Sequence, residues 1–222
     1  MESPFCPRDA LQNDPAFRLI ETFGYRVGRG IRNLDLHLRR LEHSAEAFGI
    51  VFDRGAVVEA LQGVQGAADL RCRLTLAAGG EIAVTTAPLA PVSRRWIVSL
   101  AKQRVRSDDP WLLHKTTNRR LYDEARAHLP PGVDELLFLN EREEVCEGTI
   151  TNLFVTLQCG QRVTPPLASG LLPGVLRQCL LDQGDLVERV VTLRDLCHAG
   201  EISLGNSLRG EIPADLQIMK GP

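Results

Sequence analysis

Apolar residues recur at helical spacing in the part of the chain that follows residue 33. The apolar positions are separated by four, three, four and three residues, which is the stripe of an amphipathic helix. Asp35 lies in the first turn and Gly49 follows the last apolar position, as is common at helix ends. The spacing predicts a helix over 35–48 and a shorter one over 56–63. The stripe consists of Leu34, Leu38, Leu41, Ala45 and Phe48.

Alternation of apolar and polar residues replaces this period from residue 69 onward. It predicts a hairpin over 69–87, with a turn at Ala78-Gly79-Gly80, and a further strand that begins at Trp96. In the second half, the same reasoning predicts strands over 135–139, 149–156, 187–192 and 201–205 and helices over 117–128, 173–182 and 193–199. Hairpins followed by mixed elements indicate an α+β protein with two lobes, which we expect to be residues 1–105 and 106–222.

Composition narrows the class of protein. The 222 residues are 44% hydrophobic and 24% charged, as in globular proteins, and 26 basic against 28 acidic side chains leave no basic surface for nucleic acid. No apolar run approaches the roughly 20 residues that span a bilayer, and the first residues lack a signal-peptide pattern. We therefore expect a cytoplasmic protein with no membrane or nucleic-acid partner. Six scattered cysteines without C-x-x-C spacing, mostly among apolar neighbours, predict reduced, buried thiols and no metal site.

A titratable amine is scarce in this chain, because only three of the 26 basic residues are lysines: Lys102, Lys115 and Lys220. Lys115 follows an apolar dipeptide and precedes Thr116 and Thr117, which are good N-cap residues, so we expect it at the start of a helix. An amine beside a helix N-terminus has a lowered pKa that suits Schiff-base chemistry. A solvated lysine at a helix start is the ordinary alternative.

Three other features are candidates for binding an anion or a cofactor. Residues 170–177 open a helix whose backbone N–H groups can hold a phosphate, or form an ordinary loop-to-helix start. Glu147 enters a predicted core strand, where a buried carboxylate needs a partner such as a pyridinium nitrogen, unless it lies exposed at a hairpin end. Ser207 offers a hydroxyl that can join an anion site or cap a turn.

These motifs occur in an order that resembles the fold-type IV pyridoxal-phosphate enzymes, also called class IV aminotransferases. The resemblance covers residues 17–216 and implies a two-lobed fold like that of D-amino-acid aminotransferase, with pyridoxal 5'-phosphate as cofactor. Of the family's D-R-G-x-x-Y-G-D-G-x-F-E-T stretch only 17–23 is retained, so a shortened N-terminal lobe is expected. The motifs are H-L-R-R-L at 37–41, K-T-T-N-R at 115–119, E-L-L-F-L-N at 135–140, E-G-T-I-T-N-L-F at 147–154, S-G-L-L-P-G-V-L-R at 169–177 and G-N-S-L-R-G at 205–210.

The resemblance implies a role for individual residues of this chain. Lys115 matches the lysine that binds the cofactor covalently and transfers protons. Glu147 matches the acid that keeps the pyridine nitrogen protonated, which makes the ring an electron sink. Arg40 matches the arginine that contacts the cofactor phosphate, while its neighbour Arg39 is expected to be solvated. The remaining matches are the backbone N–H groups of Val175 and Leu176 and the hydroxyl of Ser207 at the phosphate, and Thr22 on the substrate side.

The resemblance leaves the reaction open between a lyase and a transaminase. The pair Asn118-Arg119 after the lysine, and Arg120 where branched-chain transaminases have tyrosine, resemble aminodeoxychorismate lyases and the lyase-like domain fused to aminodeoxychorismate synthase. Asn118, three residues beyond Lys115 on the predicted helix, is expected to share its face and reach the substrate. The implied activity is release of 4-aminobenzoate and pyruvate from 4-amino-4-deoxychorismate. The resemblance also implies a homodimer and, as a partner, the aminodeoxychorismate synthase that makes this substrate. The alternatives are a transaminase for branched-chain or D-amino acids and a degenerate cofactor-binding accessory protein.

Overall fold

The computed structural model describes residues 14–90 and 94–217 of the chain. Its first unit contains residues 14–90 together with 114–118. The strands of this unit are β1 (Arg18–Arg26), β2 (Gly30–Ile31), β3 (Leu70–Ala77) and β4 (Ile82–Pro88). They form one antiparallel sheet in the order β2-β1-β3-β4. The alternation that predicted the hairpin is visible in β3, where Cys72, Leu74 and Leu76 are buried.

Two helices accompany this sheet, and both were predicted from the sequence. Helix α1 spans Leu34–Phe48 and ends at Gly49, which has a φ of 66° in the left-handed region that favours glycine. Helix α2 spans Arg54–Gln62, and the carboxylate of Asp53 caps it by accepting the N–H of Ala56. The apolar stripe of α1 lies in the core, with Leu38, Leu41, Ala45 and Phe48 buried.

The second unit contains residues 94–113 and 119–217. Its strands are β5 (Trp96–Val105), β6 (Glu135–Asn140), β7 (Val145–Gly148), β8 (Asn152–Thr156), β9 (Arg162–Thr164), β10 (Val187–Glu188), β11 (Glu201–Asn206) and β12 (Gly210–Leu216). They form a mixed sheet in the order β10-β9-β8-β11-β12-β5-β6-β7. Because β7 also pairs with β8, the six strands β8, β11, β12, β5, β6 and β7 close into a ring of hydrogen-bonded strands.

The helices of this unit are α3 (Arg120–Ala127), α4 (Val175–Asp182) and α5 (Leu193–Cys197). Helix α4 packs through Leu176 and Leu180 against Phe154 of β8 and Leu186. Helix α5 begins with a capping box formed by Thr192 and Asp195. Within the described residues, none of the helices is long and apolar enough to span a bilayer.

The α+β fold with two lobes that the sequence predicts is confirmed. The boundary between the units differs from the expected 105/106. Strand β5 pairs in parallel with β6 and β12, so it belongs to the second unit, and residues 114–118 pair with β1 and belong to the first. The predicted strand over 149–156 begins later than expected, as β8 at Asn152, because residues 149–151 form the turn between β7 and β8.

Other differences concern single residues and short strands. Strands β1, β2, β7, β9 and β12 were not predicted. Strand β9 has three residues, too few to show alternation, whereas β12 pairs in parallel with β5, which is distant in sequence. The expectation of buried thiols holds for Cys72 and Cys146, whereas Cys159 and Cys197 are exposed. Cys6 and Lys220 lie outside the described residues.

Candidate active site

The segment that carries Lys115 is extended and lies along the start of β1. The Ile20 N–H donates to the Lys115 carbonyl over 2.8 Å, and the Thr117 N–H donates to the Arg18 carbonyl over 2.9 Å. A β-bridge between Leu19 and the residue after the lysine completes the pairing. Lys115 is half-buried, and these backbone bonds fix the position from which its side chain starts.

The predicted helix start at Lys115 is wrong. Helix α3 begins five residues later, at Arg120. The two threonine hydroxyls make other bonds: Thr116 Oγ1 accepts the N–H of Asn118 over 3.1 Å, and Thr117 Oγ1 accepts the N–H of Arg18 over 2.9 Å. Asn118 is exposed and precedes the helix, so the helix-face argument that linked it to the lysine does not hold. Its expected contact with substrate stays a prediction.

The residue before the lysine attaches this segment to helix α1. His114 Nδ1 lies 3.0 Å from the hydroxyl of Ser44, and its ring stacks on His43 at 5.9 Å and meets Phe48 edge-on at 5.0 Å. Burial, together with the neighbouring His43, lowers the pKa of His114 to about 4. A neutral imidazole therefore joins the Lys115 segment to the helix that carries Arg40.

Arg40 lies on α1 with its guanidinium directed at a buried carboxylate. Its Nε donates to Glu21 Oε1 over 2.8 Å and its Nη2 donates to Glu21 Oε2 over 2.6 Å. His37 Nδ1 lies 2.6 Å from the same carboxylate. The neighbour Arg39 is 70% exposed, as expected, and its guanidinium pairs with Asp35. Arg40 is thus the arginine of this motif that is held in one orientation.

Thr22 follows Glu21 on β1, so the two side chains point to opposite faces of the sheet. Thr22 is half-buried and opposite Arg73 of β3. The structure therefore places it on the sheet face away from the Glu21–Arg40 pair. Its assignment to the substrate side stays a prediction.

In the second unit, Glu147 is a buried carboxylate on β7 with 6% of its surface exposed. The Tyr122 hydroxyl donates to its Oε1 over 2.8 Å, and Asn152 Nδ2 lies 3.4 Å from its Oε2. Burial, together with the charge of Glu147, raises the pKa of Tyr122 well above its ordinary value. Tyr122 therefore remains a hydrogen-bond donor to the carboxylate at any physiological pH.

The turn after Glu147 is organised by a second buried acid. Glu135 Oε1 accepts the N–H and the hydroxyl of Thr149, and its Oε2 accepts from the hydroxyl of Thr151. A Cβ at Gly148 would lie 2.4 Å from Thr151 Oγ1 and 2.9 Å from Glu135 Cδ, so only glycine fits there. This cluster fixes the end of the strand that carries Glu147.

Helix α4 begins close to the same side chains. Its N-cap, Gly174, has no side chain to cap the first turn, where Val175 and Leu176 contribute the first backbone N–H groups. A Cβ on Gly174 would lie 1.7 Å from Asn152 Oδ1. Asn152 also donates from Nδ2 to the Leu172 carbonyl over 3.0 Å. The glycine therefore lets the start of the helix approach Asn152, the neighbour of Glu147.

Ser207 lies in the turn between β11 and β12. Asn206 shapes this turn, because its Oδ1 accepts the N–H groups of Leu208 and Arg209 over 3.1 and 2.9 Å. Its Nδ2 donates to the Ile150 carbonyl over 3.0 Å. Asn206 thus connects the turn that contains Ser207 to the turn that follows Glu147.

Several site residues were missed in the sequence: Glu21, Tyr122, Glu135, Asn152 and Asn206. For Glu21 and Glu135 the sequence did contain a signal, namely an acidic residue within an otherwise apolar strand. Glu21 lies between Leu19 and Phe23 on one face of β1, and Glu135 opens the fully buried strand β6. Buried carboxylates need partners, so such positions indicate a polar network.

The residues present fit pyridoxal 5'-phosphate. Lys115 supplies an amine, and the carboxylate of Glu147, buried with a neutral donor on it, suits a protonated pyridine nitrogen. The glycine at the N-cap of α4 and the fixed guanidinium of Arg40 suit a phosphate.

Comparisons with known proteins agree with this chemistry. A Schizosaccharomyces pombe protein assigned as an aminodeoxychorismate lyase is 31% identical over 187 residues, which are 79% of this chain and 80% of that protein. The crystal structure of a Mesorhizobium loti protein assigned as an amino-acid aminotransferase is 42% identical, with a TM-score of 0.85 over 90% of this chain and 100% of that one. The crystal structure of 4-amino-4-deoxychorismate lyase from Pseudomonas aeruginosa is 27% identical, with a TM-score of 0.77 over 91% of this chain and 83% of that one.

The family resemblance seen in the motifs is confirmed by a match along nearly the whole chain. Residues 18–216 match the family model described as amino-transferase class IV. The S. pombe relative also covers more than two thirds of both chains at over 30% identity. The chain therefore belongs to the class IV aminotransferase family of pyridoxal-phosphate enzymes.

Proposed function

We propose that this protein is a pyridoxal 5'-phosphate-dependent 4-amino-4-deoxychorismate lyase that releases 4-aminobenzoate and pyruvate. The observation that carries the proposal is the fifth residue after Lys115, a tyrosine in branched-chain transaminases. Here it is Arg120, whose side chain is 88% exposed and pairs with Glu124 on the outer side of α3. The lyase names of the S. pombe and P. aeruginosa proteins support the same reaction.

In this proposal the cofactor is held at three points. Lys115 provides the amine for covalent attachment, and Glu147 holds the proton on the pyridine nitrogen. Arg40, with the backbone N–H groups at the start of α4 and the Ser207 hydroxyl, binds the phosphate. When bound, the cofactor supplies an electron sink for the carbon next to the substrate nitrogen. Tyr122 and Asn152 keep the Glu147 carboxylate in place.

The reaction requires two proton transfers and the cleavage of one carbon–oxygen bond. Lys115 Nζ takes the proton from the ring carbon that bears the amino group. The bond between the adjacent ring carbon and the enolpyruvyl oxygen then breaks, and the ring becomes aromatic. Return of the proton to the methylene carbon of the released enolpyruvate gives pyruvate. Thr22 and Asn118 are the proposed contacts for the substrate, which carries two carboxylates.

Product analysis tests the proposal. We expect purified protein, supplied with aminodeoxychorismate made by its synthase, to release 4-aminobenzoate and pyruvate in equal amounts. Lys115→Ala should abolish both products, whereas Lys102→Ala, at an exposed position on β5, should keep them. Borohydride reduction of the holoenzyme should place the pyridoxyl label on Lys115. A label on Lys102 instead would refute the assignment of the lysine.

A transaminase is the second candidate, favoured by the 42% identity to the Mesorhizobium loti protein assigned as an amino-acid aminotransferase. It shares the roles of Lys115 and Glu147 but requires an amino donor and a 2-oxoacid. Glutamate, branched-chain amino acids or D-alanine with 2-oxoglutarate would then turn over, and aminodeoxychorismate would yield no 4-aminobenzoate. For either activity we propose a homodimer, which sedimentation of the holoenzyme can measure.

A further inference from the structure

Glu21 forms a polar cluster with His37 and Arg40 in the first unit, and only 1% of its surface is exposed. It lies on β1 between Leu19 and Phe23 and faces helix α1. Both of its oxygens are bonded to Arg40, through Nε and Nη2, and Oε2 also lies 2.6 Å from His37 Nδ1. Strand β1 therefore holds the guanidinium of Arg40 by two parallel bonds.

The carboxylate of Glu21 is ionised at neutral pH. Burial alone would raise the pKa of Glu21, but Arg40 and His37 outweigh it and hold the pKa at about 2. The ionised carboxylate can only accept hydrogen bonds, so His37 Nδ1 carries a proton and donates it. A guanidinium bound through Nε and one Nη cannot rotate about its long axis without losing both bonds. The two bonds to Glu21 therefore fix the orientation of the whole guanidinium of Arg40.

The same strand also positions the reactive lysine. The backbone bond from Ile20 to the Lys115 carbonyl lies next to Glu21 in the sequence. One short stretch of β1 therefore fixes Lys115 through its main chain and Arg40 through a side chain. Positions that must be held relative to one another are best built on one rigid element.

We propose that Glu21 is a positioning residue that orients Arg40 for the phosphate of the cofactor, an inference that rests on the phosphate-binding role proposed for Arg40. An anion beside Arg40 weakens its electrostatic attraction for a phosphate. Glu21 therefore assists phosphate binding only if the orientation it imposes outweighs its charge. The negative charge of Glu21 weakens phosphate binding, whereas the orientation that it imposes on Arg40 strengthens it. Replacing Glu21 therefore shows which of the two is larger.

The experiment compares the dissociation constants of the apoprotein for pyridoxal 5'-phosphate and for pyridoxal, which lacks the phosphate. Glu21→Gln should weaken pyridoxal 5'-phosphate binding about tenfold to a hundredfold, the effect of losing one hydrogen bond to a charged group, and should change pyridoxal binding less than twofold. Glu42→Gln, which neutralises an exposed carboxylate on α1, is the matched control and should change neither constant.

A second variant separates orientation from charge. Glu21→Asp keeps the charge but withdraws the carboxylate by one methylene, so we expect the preference for the phosphorylated ligand to fall again. Tighter binding of pyridoxal 5'-phosphate by Glu21→Gln, or an unchanged preference in Glu21→Asp, would overturn the proposal. Arg40→Ala tests its premise separately: if this variant keeps the full preference, the role of Arg40 fails, whatever the Glu21 variants do.

Discussion

Replacing Gly174 by alanine should destabilise the protein through a single contact. Gly174 has a φ of −68° and a ψ of 140°, which alanine adopts without strain. The added Cβ, however, would lie 1.7 Å from Asn152 Oδ1 and 2.9 Å from its Cγ. Asn152 must move, and its bond to the Leu172 carbonyl is then lost. Overpacking costs about 1 to 3 kcal/mol and the lost bond about 1 kcal/mol, so we expect a loss of about 3 kcal/mol.

Urea unfolding of the apoprotein measures this loss, and the melting temperature should fall by about 6 to 12 °C. Gly63→Ala is the matched control, because a Cβ there meets its nearest neighbour, the Ala60 carbonyl, at an ordinary 3.8 Å. It should leave the free energy of unfolding unchanged or slightly higher. In an Asn152→Ala background the cost of Gly174→Ala should drop below about 1 kcal/mol. A cost that persists in that background would refute the contact as its cause.

Two further predictions concern stability. The pKa of His114 is lowered to about 4 in the folded protein from an ordinary value of 6.5, so the unfolded chain binds the proton first. Stability should therefore decline as the pH falls from about 6.5 to about 4. His114→Gln should flatten this part of the urea-unfolding profile, and an unchanged slope would contradict it. Tyr122→Phe removes the donor to the Glu147 carboxylate and should cost about 1 to 2 kcal/mol in the apoprotein, whereas Tyr25→Phe, in the other unit, serves as its control.

The parts of the fold that depend on local periodicity could be predicted from the sequence. The stripe of α1 and the alternation of the β3–β4 hairpin are local patterns, and the structure places them as expected. The surroundings of Lys115 could not be predicted in this way. Thr117 caps no helix because its hydroxyl and N–H bond to Arg18, 99 residues earlier in the chain. A long-range strand pairing here overrides the local preference of threonine for helix starts.

The candidate site, like the fold, could be predicted only as far as local sequence patterns reach. The chemical type of Lys115, Arg40 and Glu147 was visible in the motifs, whereas the groups that hold them were not. Glu21 meets Arg40 across 19 residues and Tyr122 meets Glu147 across 25, which no local pattern reports. An acid in an apolar strand indicates that a partner exists but does not identify it.

The assignment of residues 114–118 to the first unit has a consequence for biosynthesis. On the ribosome, β1 emerges about a hundred residues before the segment that pairs with its first residues, and β5 of the second unit is made in between. Until then the backbone groups of Arg18 and Ile20 have no strand partner on that edge, and such open edges invite pairing with other chains. A polypeptide that stops at residue 90 would keep this open edge permanently. The lysine segment thus closes the nascent first unit, and truncated products of this gene should depend on chaperones more than the full chain does.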